Sequence, residues 1–205
     1  MKKKIEKAIP KIVGSLVNTS SHISKTFAAK KAMKIFTTPR RGKINEKQAE
    51  YLKSAKQEKL EYDGLKINTY QWHGANKTIL LAHGWESNVA RWKNLIAILQ
   101  EHNYNIIALD APAHGNSGSD TFNAFLYSEF INVVAQTYKP EIIIGHSVGG
   151  MASIFFQKKH QISSLKKMIL FSFFLSFISN FLSKLKTYNV VKQFRNMSSN
   201  FFFIF

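Results

Sequence analysis

Residues Glu141–Met151 read EIIIGHSVGGM, and the order of residue types in that stretch decides the fold. Ile142, Ile143 and Ile144 are apolar and β-branched, the composition of a strand buried on both faces. Gly145-His146-Ser147-Val148-Gly149-Gly150 follows directly and opens onto Met151-Ala152-Ser153-Ile154-Phe155-Phe156, a run compatible with helix. Strand, sharp turn and helix therefore succeed one another without a spacer. The G-x-S-x-G spacing sets a serine on a turn tight enough to strain its own backbone. The residues two places to either side must then lack bulk, and Gly145 and Gly149 meet that demand. Beside such a turn the backbone N–H of the next residue, Val148, points to where an oxyanion would form. G-x-S-x-G occurs by chance in many loops, so its surroundings must carry the reading.

Upstream, Thr78-Ile79-Leu80-Leu81-Ala82 reads as a buried strand ending in His83-Gly84-Trp85. Tyr104 to Leu109 reads as another, ending in Asp110-Ala111-Pro112-Ala113-His114-Gly115-Asn116-Ser117. Between the two strands, Ser87 or Asn88 can cap a helix running to about Glu101, with Trp92, Leu95, Ile96 and Leu99 inward. After the Asp110 loop, Asp120 is the candidate cap of a helix whose Phe122, Phe125, Leu126, Phe130 and Val133 recur at helical spacing and read as core. Leu165 to Phe171 fits the next strand. Strands alternating with helices predict a mainly parallel sheet covered on both faces. Ahead of it, Asn45 to Gln57 permits a helix, and Lys59 to Trp72 reads as a hairpin turned at Asp63-Gly64.

The three loops, His83-Gly84-Trp85, Asp110 to Ser117 and Gly145 to Gly149, resemble in order and spacing those of the α/β-hydrolase fold family, with Ala113 in a glycine place. The likeness covers roughly residues 58–171. It implies an α/β fold, a doubly wound, mainly parallel sheet flanked by helices and incomplete at its carboxyl end. A basic helical extension (1–57) precedes this core, and a Phe-rich tail (172–205) follows it without matching the family. It also implies a serine hydrolase acting on a small ester or similar carbonyl substrate, without a cofactor. Ser147 would be the nucleophile, and the backbone N–H groups of Trp85 and Val148 would hold the oxyanion.

In that family the acid and the histidine of the triad follow the serine, yet no Asp or Glu follows Glu141 here and no His follows His160. Activity is accordingly expected to be absent or feeble, and the rival readings are a non-catalytic remnant or scaffold and a membrane-surface binding protein. Among the seven histidines, His114 is the candidate substitute base because its loop leaves the same end of the sheet. His83 reads as a brace of the oxyanion turn, and His146, inside the elbow, as a packing residue. His22, His73, His102 and His160 have no motif around them. Asp110 reads as the residue that shapes its loop. No H-E-x-x-H, phosphate loop or dinucleotide fingerprint occurs, so no metal or cofactor is expected.

A chain of 205 residues, 45% apolar and 13% aromatic, suits one domain with appendages. It has no cysteine, so disulfides and cysteine-ligated metals are excluded, and a cytoplasmic location is the expectation. The net charge of +17 comes without a nucleic-acid motif and reads as solvated surface rather than as a specific nucleic-acid site. Ile5, Ile9, Ile12, Val13, Leu16 and Val17 recur at three- and four-residue steps among lysines, the pattern of a basic amphipathic helix; it either packs on the core or lies on an anionic bilayer. Charges and Pro10 interrupt the apolar run that a signal peptide would need. Thr37 to Gly42 reads as a linker.

At the other end, residues 171–205 hold ten of the seventeen Phe without a Gly or Pro. That change of composition coincides with the lost triad, which motivates the hypothesis of a non-native tail from a frameshift or premature stop; sequencing the locus tests it, and close relatives sharing the tail would refute it. Met168 to Ser183 is uncharged between lysines but shorter than the ~20 residues a spanning helix needs.

Overall fold

The hairpin, the parallel strands and the serine turn assemble into one sheet in the computed structural model, which describes residues 2–171 and a strand at 201–204. β1 (Lys56–Tyr62) and β2 (Leu65–Trp72) pair antiparallel, with Tyr62 opposite Leu65. Asp63 and Gly64 turn the hairpin at φ of 50° and 72°, the pair of positive values that matches the twist of the strands it joins. β2 lies antiparallel to β4 (Tyr104–Leu109), and β4 is parallel to β3 (Asn76–Ala82). β5 (Ile142–His146) and β6 (Lys167–Phe171) continue the parallel run, giving the order β1-β2-β4-β3-β5-β6-β7, where β7 is Phe201–Ile204. The expected mainly parallel α/β sheet is thus observed. Residues 172–200, which carry most of the expected tail and of the Met168 to Ser183 run, lie outside the described residues.

The strands are apolar on both faces because helices cover both. In β3, Ile79 and Leu81 join one core cluster while Leu80 and Ala82 join the other. In β4, Ile106 and Ala108 alternate with Ile107 and Leu109 in the same way. One cluster receives Phe130, Ile131 and Val134 from α5 (Ala124–Tyr138) and Phe156 from α6 (Val148–His160). The other receives Leu52 from α3 (Glu46–Leu52), Trp92 and Ile96; the last belongs to α4 (Lys93–Glu101). Each such side chain contributes about 1.5–3 kcal/mol of transfer free energy, so the two layers fix the sheet and with it the loops at its carboxyl end.

Several local expectations are refined or corrected. Of the two candidate caps Asn88 takes the place: its Oδ1 accepts from the Ala90 N–H at 3.0 Å and heads a short 3₁₀ turn, Val89–Trp92, before α4 begins. The helix after the Asp110 loop starts at Asn123, whose Oδ1 accepts from the Leu126 N–H at 2.7 Å, and not at Asp120. The reason is Phe122, whose ring is drawn among Trp85, His114 and Tyr127 and keeps the chain from turning into helix earlier. Phe125 is not core; it is 69% exposed and stacks on Phe155.

The chain divides into two compact units, Met1–Thr38 and Pro39–Phe205. Leu52 and Ala55, which the sequence reading groups with the extension, are buried in the core of the second unit. The first unit is a helical pair: α1 (Lys2–Ile23) continues past Pro10, and α2 (Lys25–Thr37) follows a one-residue break at Ser24. The Ser24 Oγ accepts from the Phe27 N–H at 3.3 Å, an N-cap where the sequence reading places no element. Among the described residues no helix is long and apolar enough to cross a membrane.

Candidate active site

β5 runs straight into Ser147, whose φ of 53° and ψ of −122° are unusual for a residue with a side chain. The turn is held by main-chain bonds: the Ser147 N–H donates to the Phe171 carbonyl at 2.8 Å, and the Met151 N–H to the Ser147 carbonyl at 3.2 Å. Both flanking glycines are required by contact. A Cβ on Gly145 would lie 2.6 Å from the Gly150 Cα, and one on Gly149 would collide with the carbonyl oxygens of Ala82 and His83. Ser147 stands ahead of α6 and is half-buried. Its hydroxyl has no hydrogen-bond partner among the described residues, and it does not cap the helix. Val148 is the first residue of α6, so its N–H belongs to the free donors at the positive end of that helix.

The loop after β3 lies against this turn. A Cβ on Gly84 would sit 2.7 Å from the His146 Nδ1 and 3.2 Å from the Ser147 Cβ, which brings the main chain next to Trp85 alongside the serine. The Trp85 ring packs edge-on to His114 and Phe122 at 5.2 and 5.3 Å.

Asp110 is the polar centre of the neighbouring loop. Fully buried, it accepts from the Val89 N–H at 3.1 Å, the Asn116 N–H at 3.0 Å and the Tyr70 O–H at 2.9 Å. Burial nevertheless dominates and pushes its carboxyl up to about 6, and the same burial, with the carboxylate beside it, drives the Tyr70 phenol far upward. Gly115, at φ 48°, packs directly on the carboxylate, and a Cβ there would overlap it. The Ser117 hydroxyl donates to the Asp110 carbonyl at 2.7 Å and accepts from the Asn68 N–H at 2.9 Å, which ties the loop to β2. Ala113, in its glycine place, stands at φ 65°. Tyr70, Asn116 and Tyr127, which the sequence reading does not select, complete this hub; a tyrosine in the inward register of β2 was the available signal.

The histidines are placed as follows. His83, with no exposed surface, holds one proton on Nδ1, which donates to the Gly84 carbonyl at 2.8 Å, while Nε2 accepts from the Ala111 N–H at 3.0 Å. It thereby links the loops after β3 and β4. Burial lowers it to about 3, so its 3.8 Å approach to Asp110 is not an ion pair at neutral pH. His114 is equally enclosed: Nδ1 donates to the Pro112 carbonyl at 2.8 Å and Nε2 accepts from the Glu86 N–H at 3.0 Å. Its two nitrogens are thus committed to the main chain, leaving no lone pair for a serine hydroxyl. Burial is also what lowers its proton affinity. His146 packs under Gly84 with its Nδ1 buried and unpartnered, and burial first, then the Arg91 charge, lowers it as well. His102 and His160 are tied down peripherally, to the Ile98 carbonyl and to Glu129. Among the described residues no three His, Asp or Glu side chains gather as a metal site requires.

Residues 79–175 match the model of the alpha/beta hydrolase family. The chain is 35% identical over 86 residues to a pimeloyl-acyl-carrier-protein methyl ester esterase of Pectobacterium carotovorum, which covers 41% of this chain and 32% of that one. It is 30% identical over 98 residues to an AB hydrolase superfamily protein of Gibberella zeae, covering 44% and 34%. The chain thus spans about a third of the length of these curated relatives. Among solved structures, a thioesterase domain from the curacin biosynthetic pathway superposes with a TM-score of 0.51 at 22% identity, over 57% of this chain and 45% of that one. A hydrolase from Thermoplasma acidophilum does so with a TM-score of 0.50 at 20% identity, over 60% and 65%. The serine turn and its two companion loops stand in family order on a sheet of the family's kind, and over the matched residues 79–175 the chain is of the α/β-hydrolase family.

Proposed function

We propose that this chain carries the nucleophile half of a serine hydrolase for ester or similar carbonyl substrates. One observation carries the reading: Ser147 is strained at φ 53°, stands at the head of a helix, and its hydroxyl is uncommitted among the described residues. In this reading the Ser147 Oγ attacks the carbonyl carbon, its proton passes to a base, and the N–H groups of Val148 and Trp85 receive the charge that develops on the carbonyl oxygen. The esterase relative supports an ester-like substrate.

The described residues leave the base unassigned. His83 and His114 are saturated by main-chain bonds, and residues 161–205 contain no acid or histidine. With these residues alone the expected activity is feeble, on the order of 10³–10⁴-fold over water from oxyanion stabilisation and binding. Labelling with a fluorophosphonate probe, run beside Ser147→Ala, tests the assignment. Slow, saturable labelling that disappears in the variant is expected, and labelling unchanged in the variant would refute Ser147 as the nucleophile.

A further inference from the structure

We propose that the Met1–Thr38 unit binds the surface of an anionic lipid bilayer through an apolar stripe on α1. This goes beyond the hydrolase reading and does not rest on it. α1 and α2 pack on each other, and the residues withdrawn from solvent are small or β-branched: Val13, Val17 and Ser20 on α1, Ala28 and Ala32 on α2. Beside that seam, Ile12, Leu16 and Ile23 share a face at helical steps and remain 57%, 66% and 88% exposed. On α2, Phe27 and Phe36 are 53% and 79% exposed. A soluble surface seldom gathers so many large apolar side chains on two short helices unless they meet an apolar partner.

Charge selects the partner. The unit holds nine lysines against one glutamate, with no arginine or aspartate. A basic protein face is repelled, whereas anionic headgroups are attracted while lysine stems reach along the acyl boundary. An apolar stripe on a helix surrounded by lysines is the arrangement that seats a helix in the plane of such an interface.

Flotation of the intact chain with vesicles of phosphatidylcholine alone, and of phosphatidylcholine and phosphatidylglycerol in equal parts, tests this. Binding to the mixed vesicles only is expected, weakening at high salt. The double variant Ile12→Ser with Leu16→Ser should reduce it about tenfold, as should Lys30→Glu with Lys31→Glu and Lys34→Glu, which leaves the stripe intact. All of these positions are exposed, so circular dichroism should report unchanged helix content. The proposal is overturned by an absence of flotation or by equal flotation on both vesicles. Binding that survives both variants overturns it too, since it places the contact elsewhere in the chain. Self-association lost in the Ile12/Leu16 variant without any vesicle binding would give the stripe to a second copy instead.

Discussion

The loops after β4 and β5 leave the same end of the sheet and solve opposite problems. Each bends the chain through positive φ: Ala113 at 65° and Gly115 at 48° in the first, Ser147 at 53° in the second. In the Asp110 loop that bend is tied down by polar saturation, with three donors on one carboxylate and a serine bridging two main chains. In the elbow it is tied down by contact, with glycines where any Cβ would meet backbone, and the serine side chain carries no bond among the described residues. One loop buries its charge to become rigid. The other leaves its hydroxyl unbonded among the described residues while its backbone is held strained.

If this contrast holds, the largest effect follows from removing the carboxylate. Asp110→Ala leaves the Val89 and Asn116 N–H groups and the Tyr70 O–H without their acceptor, at roughly 1–3 kcal/mol each. The carboxyl's net displacement up to about 6, burial partly offset by those same hydrogen bonds, corresponds to on the order of 3 kcal/mol returned when the carboxylate is removed. A net loss of about 3 kcal/mol is expected in urea unfolding, and a neutral variant would break the picture of a saturated hub. In the elbow the matching change is Gly149→Ala, whose new methyl meets the Ala82 and His83 carbonyls. Overpacking of this kind costs about 2–3 kcal/mol, and because the collision is at the serine turn, fluorophosphonate labelling should fall along with stability.

His83 ties the loop after β3 to the Asp110 loop, its carbonyl lies against Gly149 of the elbow, and it makes the comparison depend on pH. Its folded proton affinity, lowered to about 3, lies below that of the unfolded chain, so its contribution is full above about pH 6.5 and is lost as pH falls toward 3. Asp110 is the opposite case: raised to about 6, it contributes most below about pH 4, and that contribution is lost as pH rises through 6. Between pH 7 and pH 5 the histidine removes about 2 kcal/mol. Urea unfolding of His83→Gln at the two pH values should therefore show a fall in stability smaller by that amount than in the unmodified chain. An unchanged pH dependence would mean that His83 takes up its proton without unfolding.

What the sequence made legible was the part governed by periodicity and by glycine. The alternation Ile79-Leu80-Leu81-Ala82 and the bulk limits at Gly145 and Gly149 belong to the backbone itself, and strand order and elbow follow from them. The polar hub is carried by long-range partners: Tyr70 and Asp110 are forty residues apart, and no local pattern announces their bond. The caps at Asn88 and Asn123 went to asparagine over Ser87 and Asp120 because tertiary packing at Val89 and Phe122 fixed where each helix could begin. His114, sought as a base for its position, turned out to be bound at both nitrogens by main-chain groups that its neighbours in sequence could not reveal.

The smallest expected effect discriminates best, because its sign is opposite to the others. Ser147→Gly frees a position where a side chain is strained by about 1–3 kcal/mol, while the added freedom of the unfolded chain takes back about 0.5–1 kcal/mol. Since the Ser147 hydroxyl makes no bond among the described residues, nothing else in the hydrogen bonding should be lost. The variant should be more stable by about 1 kcal/mol, read as a rise of a few degrees in Tm. Ser147→Ala keeps the Cβ and with it the strain, so it should leave Tm nearly unchanged, and the difference between the two variants isolates the backbone term from the hydroxyl. Equal destabilisation by both would mean that the hydroxyl is tied down after all, and the elbow would then be a second saturated loop instead of a poised one.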